Sequence, residues 1–280
     1  MHSGPATTLS SEAVIRLGVF AAVFCAMAIA EAAAPRRSRA FGRASRWTGN
    51  LGIAALNTVL VRILIPTAAV GAAIAAGRAH FGLFNQIAIG RWPAFVLAVV
   101  ALDLVVYLQH VMFHAVPALW RVHRTHHVDP DFDVTTGVRF HPIEIVISML
   151  IKIAAVGAMG AAPDAVVTFE VLLNATSMFS HGNLKLPERA DRFLRWILVT
   201  PDMHRVHHSV VRRETNSNFG FNLPWWDYLL GTYRAEPAAG HLGMTIGIDG
   251  FPGAGEIALT AMLSHPLRGP TGRYPLGREE

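Results

Sequence analysis

The sequence predicts an all-α protein: an integral-membrane helical bundle of about three full spans plus a helical hairpin, with a cytoplasmic helical cap holding a histidine-rich di-metal site. Three observations lead there. Apolar residues make up 52% of the 280 residues and charged residues only 15%, against about 25% charged in soluble domains. The apolar residues gather into runs long enough to cross a hydrocarbon layer about 30 Å thick, which takes about 20 helical residues. Finally, eight of the fourteen histidines fall into three tight clusters after the third run.

The first apolar run covers roughly Ala13 to Ala34 and the second Leu51 to Ala76. A secretory signal would carry its basic residues ahead of the first run. Here Arg36, Arg37, Arg39, Arg43 and Arg46 follow it, as in a span entering the cytoplasm at its C-terminal end. The third run starts at Trp92 and continues as helix through His114. Runs from Ile145 to Ala161 and from Ala165 to Phe179 are short and closely joined, so they read as a hairpin. The loop between the second and third runs holds only Arg78 and Arg91, whereas Arg121, Arg124, Arg139 and the stretch from Arg189 to Arg213 lie beyond His110. That imbalance places the later half on the cytoplasmic side of a multi-pass membrane protein, of the bacterial inner-membrane type.

Arg62, Lys152 and Glu170 sit inside apolar runs, where an unpaired charge costs about 2.5–3.5 kcal/mol. Lys152 and Glu170 lie at similar distances on either side of the hairpin turn and are expected to pair. The organisation is N-terminal membrane helices over 1–90, a catalytic domain over 91–235 and a tail over 236–280, with a short helix near 255–263. Cys25 is the single cysteine, which excludes an intramolecular disulfide and a cysteine-built metal site. The net charge of +5 comes from scattered arginines, a pattern that does not suggest a nucleic-acid partner.

Metal chemistry therefore falls to histidine. His110 and His114 stand four apart on the helix leaving the third run, so both leave one face, with Asp103 and Tyr107 on the same stripe. His123, His126 and His127 follow Pro117, a first-turn residue, and precede Asp129-Pro130. His204, His207 and His208 follow Thr200-Pro201-Asp202, a helix start. The three- and four-residue spacings again suggest one face for each box. Imidazole suits iron, zinc, copper and nickel, and eight imidazoles exceed the needs of one ion, so two metals are implied. The Glu-x-x-His pairs of soluble di-iron bundles and the HExxH of zincins are both missing.

The ordered set DLVVYLQHVMFH, LWRVHRTHH, RFHPIE, FEVLLNATSMFSHGN, TPDMHRVHHS, ETNSNFG and WWDYLLGTY resembles the membrane-bound fatty acid hydroxylase and sterol desaturase superfamily. The likeness covers roughly residues 95 to 235. It is nearest to the bacterial relatives of alkylglycerol monooxygenase. The resemblance implies His110, His114, His123, His126, His127, His204, His207 and His208 as ligands, and His181 of FSHGN as a ninth. Glu170, Asn174 and His181 share a helical face, which also favours His181. His141, ahead of Pro142, suits a hydrogen bond that orients a ligand. Asp103 and Asn174 are assigned the same supporting role. His2, His80, His241 and His265 have no clustered partners and read as ordinary surface residues.

The implied activity is that of an oxidoreductase, a non-haem di-iron monooxygenase. It would use O2 to hydroxylate or desaturate a C–H of a fatty acyl, sterol, isoprenoid or ether lipid, and zinc can replace iron on purification. No CxxCH and no Gly-rich dinucleotide loop is present, so electrons come from a separate redox partner, or from tetrahydropterin as in the alkylglycerol monooxygenase branch. A histidine-rich membrane metal transporter is the alternative, although transport sites belong near the bilayer midplane. Trp225, Trp226 and Tyr233 suit an interfacial belt or a substrate pocket equally. Asn216, Asn218 and Gly220 suit a turn packed on the third box.

Overall fold

The computed structural model describes residues 5–251 and 253–276, and among these residues only helices and irregular segments occur, joined by two isolated bridges. The long elements are α1 (Pro5–Ala33), α2 (Arg43–Leu64), α3 (Ala68–Arg78), the short α4 (Leu83–Gln86), α5 (Arg91–Ala115), α6 (Pro117–His127), α7 (Pro142–Met159) and α8 (Pro163–Ser180). Six short helices follow: α9 (Glu188–Leu194), α10 (Pro201–His207), α11 (Arg212–Thr215), α12 (Trp225–Leu229), α13 (Gly240–Gly243) and α14 (Leu259–Ser264). Four stretches are long and apolar enough to cross a membrane: Glu12–Ala33, Arg43–Gln86, Arg91–Ala115 and Pro142–Met159. The chain is a membrane protein.

The second apolar run is not one continuous helix. Pro66 has no N–H to give and disfavours helical geometry at the residue before it; Ile65 leaves the helix at φ −139°, and α3 restarts at Ala68. Arg62, an exposed residue, reaches the carbonyl of Pro66 at 3.4 Å. The small residues Ala69, Val70, Ala73 and Ala76 then form the buried stripe of α3, which packs against α7 and α8. Small side chains permit this close approach where lipid offers no hydrophobic gain. Together with Ala98, Leu102 and Val106 of α5, Val156 of α7, and Ala165, Val166 and Phe169 of α8, they make the core of the bundle.

Between α7 and α8 the chain turns at Gly160–Ala162, one or two residues earlier than the sequence suggests. Gly160 takes the left-handed conformation at φ 67°, and a Cβ there would meet the Phe81 carbonyl at 2.8 Å. Pro163 starts α8 instead of separating the two helices. Lys152 donates to Glu170 across the pair at 2.6 Å, as the sequence led us to expect. Arg16 of α1 binds the other oxygen of the same carboxylate, which the sequence did not indicate.

The polarity of the bundle decides where the chemistry lies. Gly82, Gly160 and the Arg91–Asp164 ion pair mark one end. The C-terminal ends of α1, α5 and α8 and the N-terminal ends of α2 and α7 gather at the other. There Glu31 of α1 accepts from the backbone of Val134 (2.7 Å) and of Asn183 (2.8 Å). Arg46 of α2 is fully buried and binds Asp129 through both Nε (3.0 Å) and Nη2 (2.7 Å), and it also binds Asp133.

Candidate metal centre

All nine sequence-selected histidines meet at that end, and every one is buried. They divide into two groups whose ligand atoms lie within 4.8 Å of one another: His110, His114, His123, His127 and His207 in one, and His126, His181, His204 and His208 in the other. The HxxHH boxes do not present a single face. Successive helical residues step by about 100°, so in α6 His126 and His127 point to either side of His123. His123 and His127 enter the larger group, and His126 enters the smaller. In α10 the same step sends His207 to the larger group, and His204 with His208 to the smaller. Each box thus serves both groups, and the two share their supporting helices.

The local starts read from the sequence hold: Pro117 and Pro201 occupy first-turn positions, and Thr200 Oγ1 caps α10 by accepting from Met203 N at 3.4 Å.

Hydrogen bonding fixes the protonation of several rings. Carbonyl oxygens only accept, so each ring nitrogen facing one must donate. His110 Nδ1 meets Phe219 O at 2.8 Å, His126 Nδ1 meets Arg139 O at 3.2 Å, His181 Nδ1 meets Ser177 O at 2.7 Å, and His207 Nδ1 meets Ser217 O at 2.8 Å. The Nε2 lone pairs of these rings are therefore free. Yet His126 Nε2 and His181 Nε2 stand 3.1 Å apart. In the larger group the corresponding separations are 3.1 Å for His110 and His123, and 3.2 Å for His114 and His127.

Two neutral imidazoles with inward lone pairs repel unless a cation lies between them. Burial opposes protonation as the remedy: it holds His126, His127, His204, His207 and His208 well below their ordinary pKa of 6.5, with neighbouring imidazoles adding to the effect, and lowers His181 to about 4. Nitrogens about 2.0–2.1 Å from one ion stand about 3 Å apart. Both nitrogens of His208 and Nε2 of His207 are buried without a protein partner. The donor set fits a transition-metal site.

The fatty acid hydroxylase family model matches residues 95–232, the segment that carries all nine histidines. Residues 95–232 are a fatty acid hydroxylase domain. It is 33% identical over 175 residues to the ornithine lipid hydroxylase OlsE of Rhizobium tropici, covering 61% of this chain and 51% of that protein. It is 29% identical over 155 residues to the alkylglycerol monooxygenase of Xenopus tropicalis, covering 55% of this chain and 34% of that protein. The human alkylglycerol monooxygenase is 28% identical over 172 residues, covering 61% and 37%. The chain thus spans from a third to a half of the length of these curated relatives. No solved structure matches it.

Around this hydroxylase-family cluster, the supporting residues differ from those the sequence suggested. Asp103 touches no imidazole. It accepts from Trp226 Nε1 (2.8 Å) and from the backbone of Asn222 (3.3 Å) and Leu223 (3.2 Å), and so ties the loop after Phe219 to α5. His141 caps α7, accepting from Ile143 N at 3.1 Å. Asn174 is exposed and donates to Glu170 O of its own helix at 2.8 Å. His80 is exposed, whereas His241 and His265 are buried beside Glu236 (2.8 Å) and Glu256 (3.0 Å). Their acid partners come from nearby residues that form no spacing motif. His2 lies outside the described residues.

Two residues in contact with the cluster were not assigned this role from the sequence. Glu144, in the first turn of α7, binds His123 Nδ1 at 2.7 Å, and the Asn216 side-chain oxygen meets His114 Nδ1 at 3.0 Å. An acid one turn into a helix that opens His-Pro was the available signal for Glu144. Such carboxylate–imidazole pairs fix ring orientation and raise basicity, and their loss costs about 10–100-fold in metal affinity. Glu144→Ala is therefore expected to weaken metal retention by about that factor in chelator competition, and Glu144→Gln by less.

Proposed function

We propose that this chain is a membrane-embedded lipid hydroxylase that uses dioxygen at two irons to insert oxygen into a C–H bond of an amphiphilic lipid. The carrying observation is the pair of abutting, fully buried, all-histidine groups at the end of an apolar bundle. Relatives named as an ornithine lipid hydroxylase and an alkylglycerol monooxygenase support a lipid substrate. The catalytic unit is proposed to be residues 91–235. The described part of the tail packs on α6, where Tyr274 stacks on Trp120 with ring centroids 5.5 Å apart.

When bound, the irons would supply oxygen activation and hydrogen abstraction. The chain's own residues do the positioning. His110, His114, His123, His127 and His207 would hold one ion, and His126, His181, His204 and His208 the other. Glu144, Asn216 and the carbonyls of Phe219, Arg139, Ser177 and Ser217 keep the Nε2 lone pairs turned inward. Reducing equivalents come from an external donor in this reading. The arginine distribution supports a cytoplasmic position for the cluster.

Phe221 is the apolar residue that joins the two regions. It packs against the core of the bundle, and its ring centroid lies 5.1 Å from that of His110 and 6.2 Å from that of His204. An acyl chain rising from the bundle would meet this ring first. Phe221→Ala is expected to keep both metals while shifting the oxidised position along the chain, read by fragmentation mass spectrometry of the product. An unchanged product would place the substrate elsewhere.

The function itself is tested by lipid mass spectrometry of aerobic cells with and without the gene, looking for a lipid that gains one oxygen atom or for a cleaved ether. Identical lipid profiles would sink the hydroxylase reading and leave metal transport as the alternative.

A further inference from the structure

Among the described residues, none covers one apolar face of the cap. Phe193 and its neighbours Trp196 and Ile197, with Trp225, Leu229 and Leu230 of the α12 region, are between 44% and 66% exposed, Leu229 reaching 73%. They form one patch: the Trp225 indole donates to Trp196 O at 2.8 Å, and Trp196 stacks on Tyr228 at 5.4 Å. Isolated exposed apolar residues need no explanation, but a contiguous aromatic patch marks a contact surface.

Its depth identifies the occupant. Arg91 and the α7–α8 turn lie at the far end of the bundle, where Arg91 pairs with Asp164 at 2.9 Å. Asp103 stands twelve residues along α5, about 18 Å from Arg91 at about 1.5 Å per residue. A hydrocarbon layer about 30 Å thick then extends about 12 Å beyond Asp103. Trp226 and the backbone of Leu223 are bonded to the Asp103 carboxylate, so this loop lies level with the acyl chains and not in water. Exposed Lys185, Arg189 and Arg192 flank the patch on the α9 side. Aromatic and aliphatic side chains bordered by basic residues suit the boundary between acyl chains and anionic headgroups.

We infer that the face formed by α9, Trp196–Ile197 and α12 is bedded in the near leaflet of the bilayer, beside the membrane-spanning helices. The histidine cluster is thereby held at the level from which a lipid tail leaves the leaflet. The inference rests on the membrane placement of the bundle and not on the oxygenase chemistry.

The test uses the full chain in bilayer nanodiscs containing anionic phospholipid. In a Cys25→Ser background, Leu229→Cys and Phe193→Cys are spin-labelled, with Asp249→Cys in the tail as the aqueous reference. Labels at 229 and 193 are expected to collide more with dissolved oxygen than with a water-soluble nickel complex, and the label at 249 the reverse. A second measurement avoids new cysteines: Trp196→Phe with Trp225→Phe should remove a large part of the fluorescence quenching by lipids brominated near the headgroup. Nickel access at 229 and 193 equal to that at 249 overturns the inference. So does shielding from both reagents, the signature of a second protein on the face, and so does unchanged quenching. None of these readouts uses metal or turnover, so their failure is distinct from failure of the hydroxylase reading.

Discussion

If the proposed two-ion hydroxylase reading holds, His126→Ala is expected to retain about one of the two metal ions per chain and to lose lipid oxidation by more than the roughly 100-fold ceiling of outer-shell substitutions. The reason is the division of the box. His126 leaves α6 on the opposite side from His127 and joins the group of four with His181, His204 and His208, so its removal leaves three ligands there. His207→Ala takes one of five from the other group and leaves four. Its metal loss should be smaller, although both residues belong to HxxHH boxes. Elemental analysis of the purified variants after gel filtration reads the difference. Two ions retained in both variants, or equal loss from both, would contradict the grouping.

Arg46→Met is expected to be the most damaging substitution outside the histidines, costing about 3–5 kcal/mol, the usual result of removing one partner from a buried ion pair. Arg46, Asp129 and Asp133 are all fully buried. Burial pushes the Asp129 carboxyl upward, but the Arg46 and Arg139 guanidiniums more than offset it and hold it down to about 2. Without Arg46 that carboxyl rises instead. A carboxyl whose folded pKa lies above its unfolded value contributes stability below the unfolded value and loses it as the pH rises through the folded one, so the variant should be less impaired at mildly acidic pH than at neutral pH. Thermal unfolding in detergent at both pH values checks this, with Arg46→Lys intermediate. A shift that does not depend on pH would argue against an uncompensated buried carboxylate.

The damage should also reach the metal site, because the network leads there. Asn50 of α2 bonds Arg139 at 3.0 Å, Arg139 bonds Thr125 O at 2.8 Å, and the Arg139 carbonyl holds His126. Of the arginines after the first apolar run, Arg46 is therefore a core residue of the site and not a charge facing the membrane surface.

Much of this was legible in the sequence because its causes are local. Helix starts at Pro117 and at Thr200-Pro201 depend on first-turn chemistry, and the Lys152–Glu170 pair depends on equal distances from one turn. The break at Pro66 was equally local, but the length of the apolar run obscured it. Contacts between distant segments were a different matter. Glu31 meets Val134 and Asn183 over separations of more than a hundred residues, and Arg124 of α6 reaches the carbonyl of His265 only because the tail folds back over α6. Asp103 shares the stripe of His110 and His114 and is buried, but its partner is the 222–226 loop and not an imidazole.

By itself, the sequence determined an all-helical membrane protein whose clustered histidines imply a metal site, because composition, run length and residue spacing act over one or two helical turns. Only the tertiary structure decided how nine histidines divide into groups of five and four. That division depends on the angle at which α6 and α10 face each other across the end of the bundle. A 100° step between adjacent residues becomes a choice between two histidine groups only when another helix stands opposite.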